Sequence, residues 1–221
     1  MEKKQSESLR EEIYHRIKDD IITGLLPQGT LLTEGKIAKD LGASTTPVRE
    51  ALFQLHQAGL VKHIPQKGYL INSITVNDLQ DMMDFRLIIE RAIAEIVITL
   101  ITEEQIEHLE SFRYVQIDTS DRALIKETLQ LNKDFHMFLA SISRNRHLIE
   151  AQDQILDETA RYQFMDYIRG EGLTDWPVDH GHIIDALRSR DKSKLVDAIE
   201  TGLARTRNRL LLSSHIYQNN Y

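Results

Sequence analysis

The chain contains no cysteine, which excludes disulfides, thiolate metal sites and cysteine nucleophiles. It also lacks an apolar run of membrane-spanning length, and its first nineteen residues are too polar for a signal peptide. The expectation is a cytoplasmic protein with no membrane association. Neither an internal repeat nor a low-complexity tract interrupts the 221 residues. With 41% hydrophobic and 28% charged residues, the composition is that of a globular chain long enough for two modest domains. A positive excess is missing too, since the formal net charge is −7, but the charge is unevenly spread. Residues 1–75 hold 10 Lys/Arg and 9 Asp/Glu, leaving 17 basic and 25 acidic residues behind them. Between 36 and 67, Lys36, Lys39, Arg49, Lys62 and Lys67 stand against only Asp40 and Glu50. Salt screens charges beyond about 8–10 Å, so an acidic rear half does not veto a basic reading face in front.

The front part reads as helix, helix, tight turn, helix, hairpin. Leu9, Ile13, Ile17, Ile21 and Ile22 form a helical stripe within Ser8–Leu26, ended by Gly24, Pro27 and Gly29. Thr33 suits the cap of a second helix that Gly42 closes. A third helix follows with Thr46 as N-cap and Pro47 in its first turn, where a missing N–H costs nothing. Two helices joined by a tight glycine turn are the helix-turn-helix signal. After Gly59, residues 60–64 and 69–71 read as strands joined by the turn Pro65-Gln66-Lys67-Gly68, a wing with a lysine beside a glycine. The third helix would present Thr45, Thr46 and Arg49 to a major groove from its N-terminal end. Arg49 suits a bidentate contact to guanine, which discriminates by about 10- to 100-fold. Its bland alternative is a surface ion pair with Glu34 or Glu50.

Behind Ile74 no strand alternation appears. Thr75–Asp78 and Thr102–Gln105 read as capping boxes. Leu79, Met82, Met83, Phe85, Ile89, Ile93 and Val97 recur with helical period between them, and further helices fit 103–115, 121–142, 147–168, 178–189 and 193–214. The fold class expected is therefore mainly α: a winged helix-turn-helix of three helices plus a β-hairpin over 1–73, then an all-α bundle over 74–221.

Residues 22–71 resemble the DNA-binding head of the GntR family of bacterial regulators. The resemblance rests on Gly24–Gly29, Leu32-Thr33-Glu34, Ile37-Ala38, Leu41-Gly42, Ser44–Leu52, Leu55, Gly59-Leu60-Val61 and Gly68. It implies a DNA-binding set of Lys36, Ser44, Thr45, Thr46, Arg49, Lys67 and Gly68. Two features depart from the family: Thr45 stands where arginine is usual, and the turn at Pro27 is spaced differently. Losing that arginine implies altered operator preference rather than loss of DNA binding. The rear part is similar to the FCD ligand-binding domain of the family's FadR branch. Arg86 with Ile89-Glu90, Asn132 with Phe135-His136, and His180 with Ile183–Leu187 carry that likeness.

The family resemblance implies a homodimer that reads a palindromic double-stranded operator, acts as a repressor and senses a small carboxylate effector. It also implies a divalent transition metal such as Zn or Ni, held in many members by one Asp or Asn and three histidines. Carried over, the metal set is Asn132, His136 and His180, with Gly202 at the fourth position and His182 pointing elsewhere. Asn132 and His136 lie four apart and share a helical face. Arg86, Asn132, His136 and His180 are the effector-binding candidates, although Arg86 could instead pair with Glu90 one turn on. The competing class is a helical-bundle metalloenzyme using Asn132, His136 and His180, but no general base, nucleophile elbow or phosphate loop accompanies them. An effector-independent regulator with a decayed pocket is a third reading.

Overall fold

The computed structural model describes residues 2–73, 75–115, 118–168 and 176–217, with side chains from Leu9 to Leu212. The chain divides into two compact units, Met1–Ile74 and Thr75–Tyr221.

The front unit consists of α1 (Glu2–Ile22), β1 (Leu31–Leu32), α2 (Glu34–Leu41), α3 (Thr45–Gln57), β2 (Val61–Ile64) and β3 (Gly68–Ile71). Helix α1 stops at Ile22, short of Leu26, because Gly24 turns the chain through a left-handed φ of 68°. Gly42 caps α2 in the αL conformation, and its N–H donates to the Lys39 carbonyl, as a glycine C-cap does. The N-cap of α3 is Ser44, not Thr46, so the helix opens two residues earlier and Pro47 falls within its first turn. No side chain caps that end: the Ser44 hydroxyl makes no cap hydrogen bond. Ile13, Ile17 and Ile21 of α1 pack with Leu52 and Leu55 of α3 and with Leu60, Val61 and Ile71, all nearly inaccessible to water. Each contributes roughly 1.5–3 kcal/mol of apolar burial.

The sheet has three antiparallel strands in the order β1-β3-β2, one more than the hairpin read from sequence. The extra strand is two residues long, too short for any alternation to show, and it sets Leu32 opposite Tyr69. Gly68 is required by that pairing. A Cβ there would lie 2.3 Å from the Leu32 carbonyl oxygen, at a φ of 123° that side chains rarely adopt. Gly68→Ala is therefore expected to destabilise the front unit by about 1–3 kcal/mol, the usual size of a strained backbone position. Urea unfolding of the full chain checks it, and an unchanged midpoint would show that β1 moves aside freely.

The rear unit is all helical: α4 (Val76–Leu100), α5 (Glu103–Glu110), α6 (Arg122–Ile142), α7 (Arg146–Ile168), α8 (Trp176–Arg188) and α9 (Lys192–Tyr217). Both capping boxes are present, Thr75 with Asp78 and Thr102 with Gln105, each satisfying two N–H groups at a helix start. Asp121 caps α6, accepting from the N–H groups of Ala123 and Leu124. Helix α5 ends at Glu110 rather than near 115, and α8 already begins at Trp176-Pro177. The Gly170-Glu171-Gly172 stretch before it lies outside the described residues. Phe135, Ile184, Leu187 and Leu195 are fully buried in a core built largely by α4, α6, α8 and α9. Among the described residues no helix is long and apolar enough to cross a membrane. Among the polar residues at least nine-tenths buried in this unit are Arg86, Glu90, Asn132, His136, Gln152 and His180. Buried polar groups need partners, and theirs define the candidate pocket.

Candidate functional site

The first site is the exposed opening turn of α3. Ser44, Thr45, Thr46 and Arg49 all face solvent there, as do Lys36 on α2 and Lys67 in the wing turn. An unsatisfied helix N-terminus with small hydroxyl side chains is suited to phosphate and to base edges. Arg49 makes a forked ion pair with Glu34 at the start of α2: Nε lies 2.9 and 3.1 Å from the two carboxylate oxygens, and Nη2 lies 2.8 Å from one of them. The ion-pair reading of Arg49 thus holds in the unbound chain, with Glu34 as partner. The hydrogen bonds and charge of Glu34 raise the guanidinium pKa further, so its positive charge is permanent. The side chain is 63% exposed, and water can take over either half of the pair as Arg49 turns to another acceptor. Gly68, placed by sequence among the DNA contacts, is half-buried, and its demonstrable role is the close approach to β1.

The second site lies in the bundle. Arg86 and Glu90 are one turn apart on α4, Asn132 and His136 one turn apart on α6, and His180 enters from the first turn of α8. Arg86 Nε donates to Glu90 Oε1 at 2.6 Å, which is the intra-helix pairing rather than a guanidinium held open for an effector. Gln152 of α7 donates to the same carboxylate oxygen at 3.3 Å. Arg86 Nη2 lies 3.2 Å from His136 Nε2, and His136 Nδ1 lies 3.5 Å from Glu90. A guanidinium can only donate, so His136 Nε2 is the acceptor and its proton sits on Nδ1, toward Glu90. A neutral His180 facing that same lone pair from 3.3 Å places its proton on Nε2 and its own lone pair on Nδ1. That Nδ1 is buried and has no hydrogen-bond partner among the described residues. His180 stacks on Phe135, ring centroids 3.6 Å apart and planes 11° from parallel, with Trp176 against it at 4.7 Å.

Burial pushes His136 down to about 4, against the pull of Glu90 and with the push of Arg86, and drives His180 well below its usual value. Both rings are therefore neutral at physiological pH. Burial works to raise Glu90, but Arg86, His136 and Gln152 outweigh it and keep the carboxylate ionised.

These residues line one side of a partly open pocket with room for a few waters, about 550 Å³ of empty space when counted out to solvent. The other side comes from α8 and α9: Gly202, expected as the fourth metal position, is joined by Trp176, Asp179, Arg205, Thr206 and Arg209, of which the last four escaped the sequence reading. Positions 198, 199, 202, 203, 205, 206 and 209 of α9 all reach the cavity. That three- and four-residue spacing was the available signal. Asp179 packs over Gly202, where a Cβ would meet its carboxyl carbon at 3.4 Å. The same carboxylate receives Arg205 at 2.8 Å.

The description of bacterial regulatory proteins of the gntR family matches residues 9–71, and that of the FCD domain matches residues 81–205. The chain belongs to the GntR family, with an FCD domain behind its head. Among GntR-family relatives, the HTH-type transcriptional regulator YdhC of Bacillus subtilis is 27% identical over 82% of this chain and 81% of its own length. The HTH-type transcriptional repressor RspR of Escherichia coli K12 is 26% identical over 90% and 85%. The fold is shared with E. coli McbR/YncC, at a TM-score of 0.74 and 18% identity over 96% of this chain and 99% of the other. A putative regulator from Rhodococcus sp. RHA1 shares it at 0.69 and 20% over 92% and 98%. This GntR-family chain is accordingly a DNA-binding transcription regulator and not an enzyme.

Whether the pocket of this FCD domain suits a metal turns on its donors. The two Nε2 atoms of His136 and His180 are spaced like neighbouring ligands of a tetrahedral ion, whose bonds of about 2.0–2.1 Å put ligand nitrogens about 3.3 Å apart. Against that, the Arg86 cation lies 3.2 Å from one of them, Asn132 offers only a neutral amide, and Gly202 offers nothing. His182 is exposed and turned away. Among the described residues no group of three or more His, Asp or Glu side chains is placed to hold a metal ion. Two imidazoles beside a guanidinium do not fit a resident transition metal.

Proposed function

We propose that this regulator is a homodimeric repressor that reads a palindromic operator through Ser44, Thr45, Thr46 and Arg49, with Lys36 and Lys67 on flanking phosphates. Release follows when a small carboxylate-bearing metabolite enters the pocket around Arg86, Asn132, His136 and His180, without a resident metal. The observation that carries the reading is the pairing, in one chain, of an exposed basic recognition turn with a buried polar pocket inside an apolar bundle. Ligand and DNA are coupled reciprocally, so an effector that lowers operator affinity is itself bound more weakly on the operator. Selection of genomic fragments by the purified protein at near-physiological salt tests it. Enrichment of a short palindrome supports the reading, and failure to enrich any sequence overturns it.

Dimerisation is supported by α4, where Phe85 and Ile88 are 46% and 65% exposed and continue through the half-buried Ala92 and Ile96. That three-and-four spacing is an apolar stripe fit for a second copy of the same helix. Ile88→Glu is expected to convert dimer to monomer by light scattering and to weaken operator binding by at least tenfold. An unchanged mass would place the interface elsewhere. The metal-free reading has its own check: Zn²⁺ or Ni²⁺ at micromolar concentration is expected to leave the melting temperature unchanged within about 1 °C. A saturable rise would contradict it, because a ligand that binds only the folded state raises apparent stability.

A further inference from the structure

The pocket's charges are already matched. Each guanidinium lining it faces a carboxylate: Arg86 faces Glu90 at 2.6 Å, Arg205 faces Asp179 at 2.8 Å, and Arg209 faces Asp166 at 2.8 Å. Burial keeps both lining histidines neutral. A plain carboxylate entering such a site leaves one negative charge uncompensated, its own or that of the acid it displaces. Burying an unpaired charge costs several kcal/mol. A ligand with one positive and one negative group avoids that cost by inserting into an existing ion pair.

The opening turn of α8 and the facing turn of α9 provide for both ends of such a ligand. Arg205, with a side chain 40% exposed, is the accessible cation, and Asp179, at 13%, is the enclosed anion. Beside them two buried atoms have no hydrogen-bond partner among the described residues. Trp176 Nε1–H is a donor, and His180 Nδ1 is an acceptor once Nε2 carries the proton. Trp176, Asp179 and His180 lie three and four residues apart, so one helical face offers a donor, a charge and an acceptor to the same cavity. At 202 a Cβ would come into ordinary contact with the Asp179 carboxyl, and the glycine leaves that space clear.

We infer that the effector is a zwitterion of α-amino-acid type, its carboxylate bound by Arg205 and Trp176 Nε1–H and its ammonium by Asp179 and His180 Nδ1. The inference rests on the proposed effector pocket and narrows its carboxylate class. The pocket, about 550 Å³ counted out to solvent, admits a compact amino-acid head group in place of a few waters.

The test is thermal stabilisation of the full chain by a panel of α-amino acids and the 2-hydroxy acids of the same skeletons, such as alanine with lactate, serine with glycerate and aspartate with malate. At least one amino acid is expected to raise the melting temperature saturably, with its hydroxy acid at least tenfold weaker. Asp179→Asn removes the anion and leaves Arg205 uncompensated, so it is expected to reverse that preference. Arg205→Gln is expected to abolish both. Should Asp179→Asn fail to fold by circular dichroism, Trp176→Phe keeps the ring and loses only the N–H, and is expected to weaken the amino acid about fivefold or more. Equal or better binding of hydroxy acids by the wild type, stabilisation by no panel member, or an unchanged ratio in folded Asp179→Asn each overturns the inference. Genomic fragment selection without ligand reads the DNA-binding proposal independently, so the two failures are distinguishable.

Discussion

Arg49→Ala is expected to remove specific operator binding while leaving the fold in place. A well-placed bidentate arginine contributes about 10- to 100-fold of discrimination at one guanine, and a dimer applies that factor in both half-sites, about 10²- to 10⁴-fold in all. Non-specific binding should fall far less. It depends on phosphate neutralisation, and removing one cation changes the salt slope by only about one unit per protomer. The fold is insulated because the side chain is mostly exposed and its partner Glu34 also lies at the surface. Fluorescence anisotropy on a genome-selected fragment and on a scrambled duplex, both at about 0.15 M salt, separates the two quantities. A loss confined to the selected fragment is the expected result. Equal losses on both duplexes would make Arg49 a phosphate contact, and no loss on either would leave it a bracket between α2 and α3.

The sequence carried the architecture because the strongest signals were local. Thr75 and Asp78, Thr102 and Gln105, and Gly42 each specify a helix end through hydrogen bonds within four residues, and each is found where such bonds predict. What was illegible depends on partners distant in sequence. β1 exists because the Leu32 backbone meets Tyr69, and nothing within two residues of Leu32 announces that. The N-cap of α3 falls on Ser44, whose side chain makes no cap hydrogen bond, so side-chain capping chemistry could not mark that helix start. In the pocket, the pairing of Arg86 with Glu90 follows from helix geometry, four residues apart. The approach of Arg86 to His136 and of Asp179 to Arg205 spans 50 and 26 residues of chain and follows only from packing. Family likeness set Asn132, His136 and His180 beside a gap at Gly202, and packing over distant sequence lays the Asp179–Arg205 pair against that glycine.

Glu90→Gln is expected to destabilise the rear unit severely. Arg86 is 3% exposed, and its closest counter-ion is the Glu90 carboxylate at 2.6 Å, so neutralising Glu90 leaves a cation stranded in the core. Breaking a buried pair on one side costs about 3–5 kcal/mol, which in a unit of this size lowers the melting temperature by about 10 °C or more. The same oxygen accepts from Gln152 and faces the Nδ1 proton of His136, contacts that an amide oxygen can keep, so the variant isolates the loss of charge. Acid should act in the same direction. The folded-state pKa of Glu90 lies below its usual 4.5, so its contribution is complete above that pH and is lost as the pH falls through the folded value. Replacing both partners, Arg86→Met with Glu90→Leu, removes the stranded charge and is expected to restore stability to wild type or beyond, as apolar replacements of buried pairs often do. Chemical denaturation of the two single variants and the double variant gives the coupling between the residues directly. Operator release by effector in the stable double variant then separates structure from sensing. A network that positions His136 and His180 for the ligand predicts a folded, DNA-bound and unresponsive repressor. A double variant that still releases DNA at the wild-type effector concentration would reduce Arg86 and Glu90 to scaffolding.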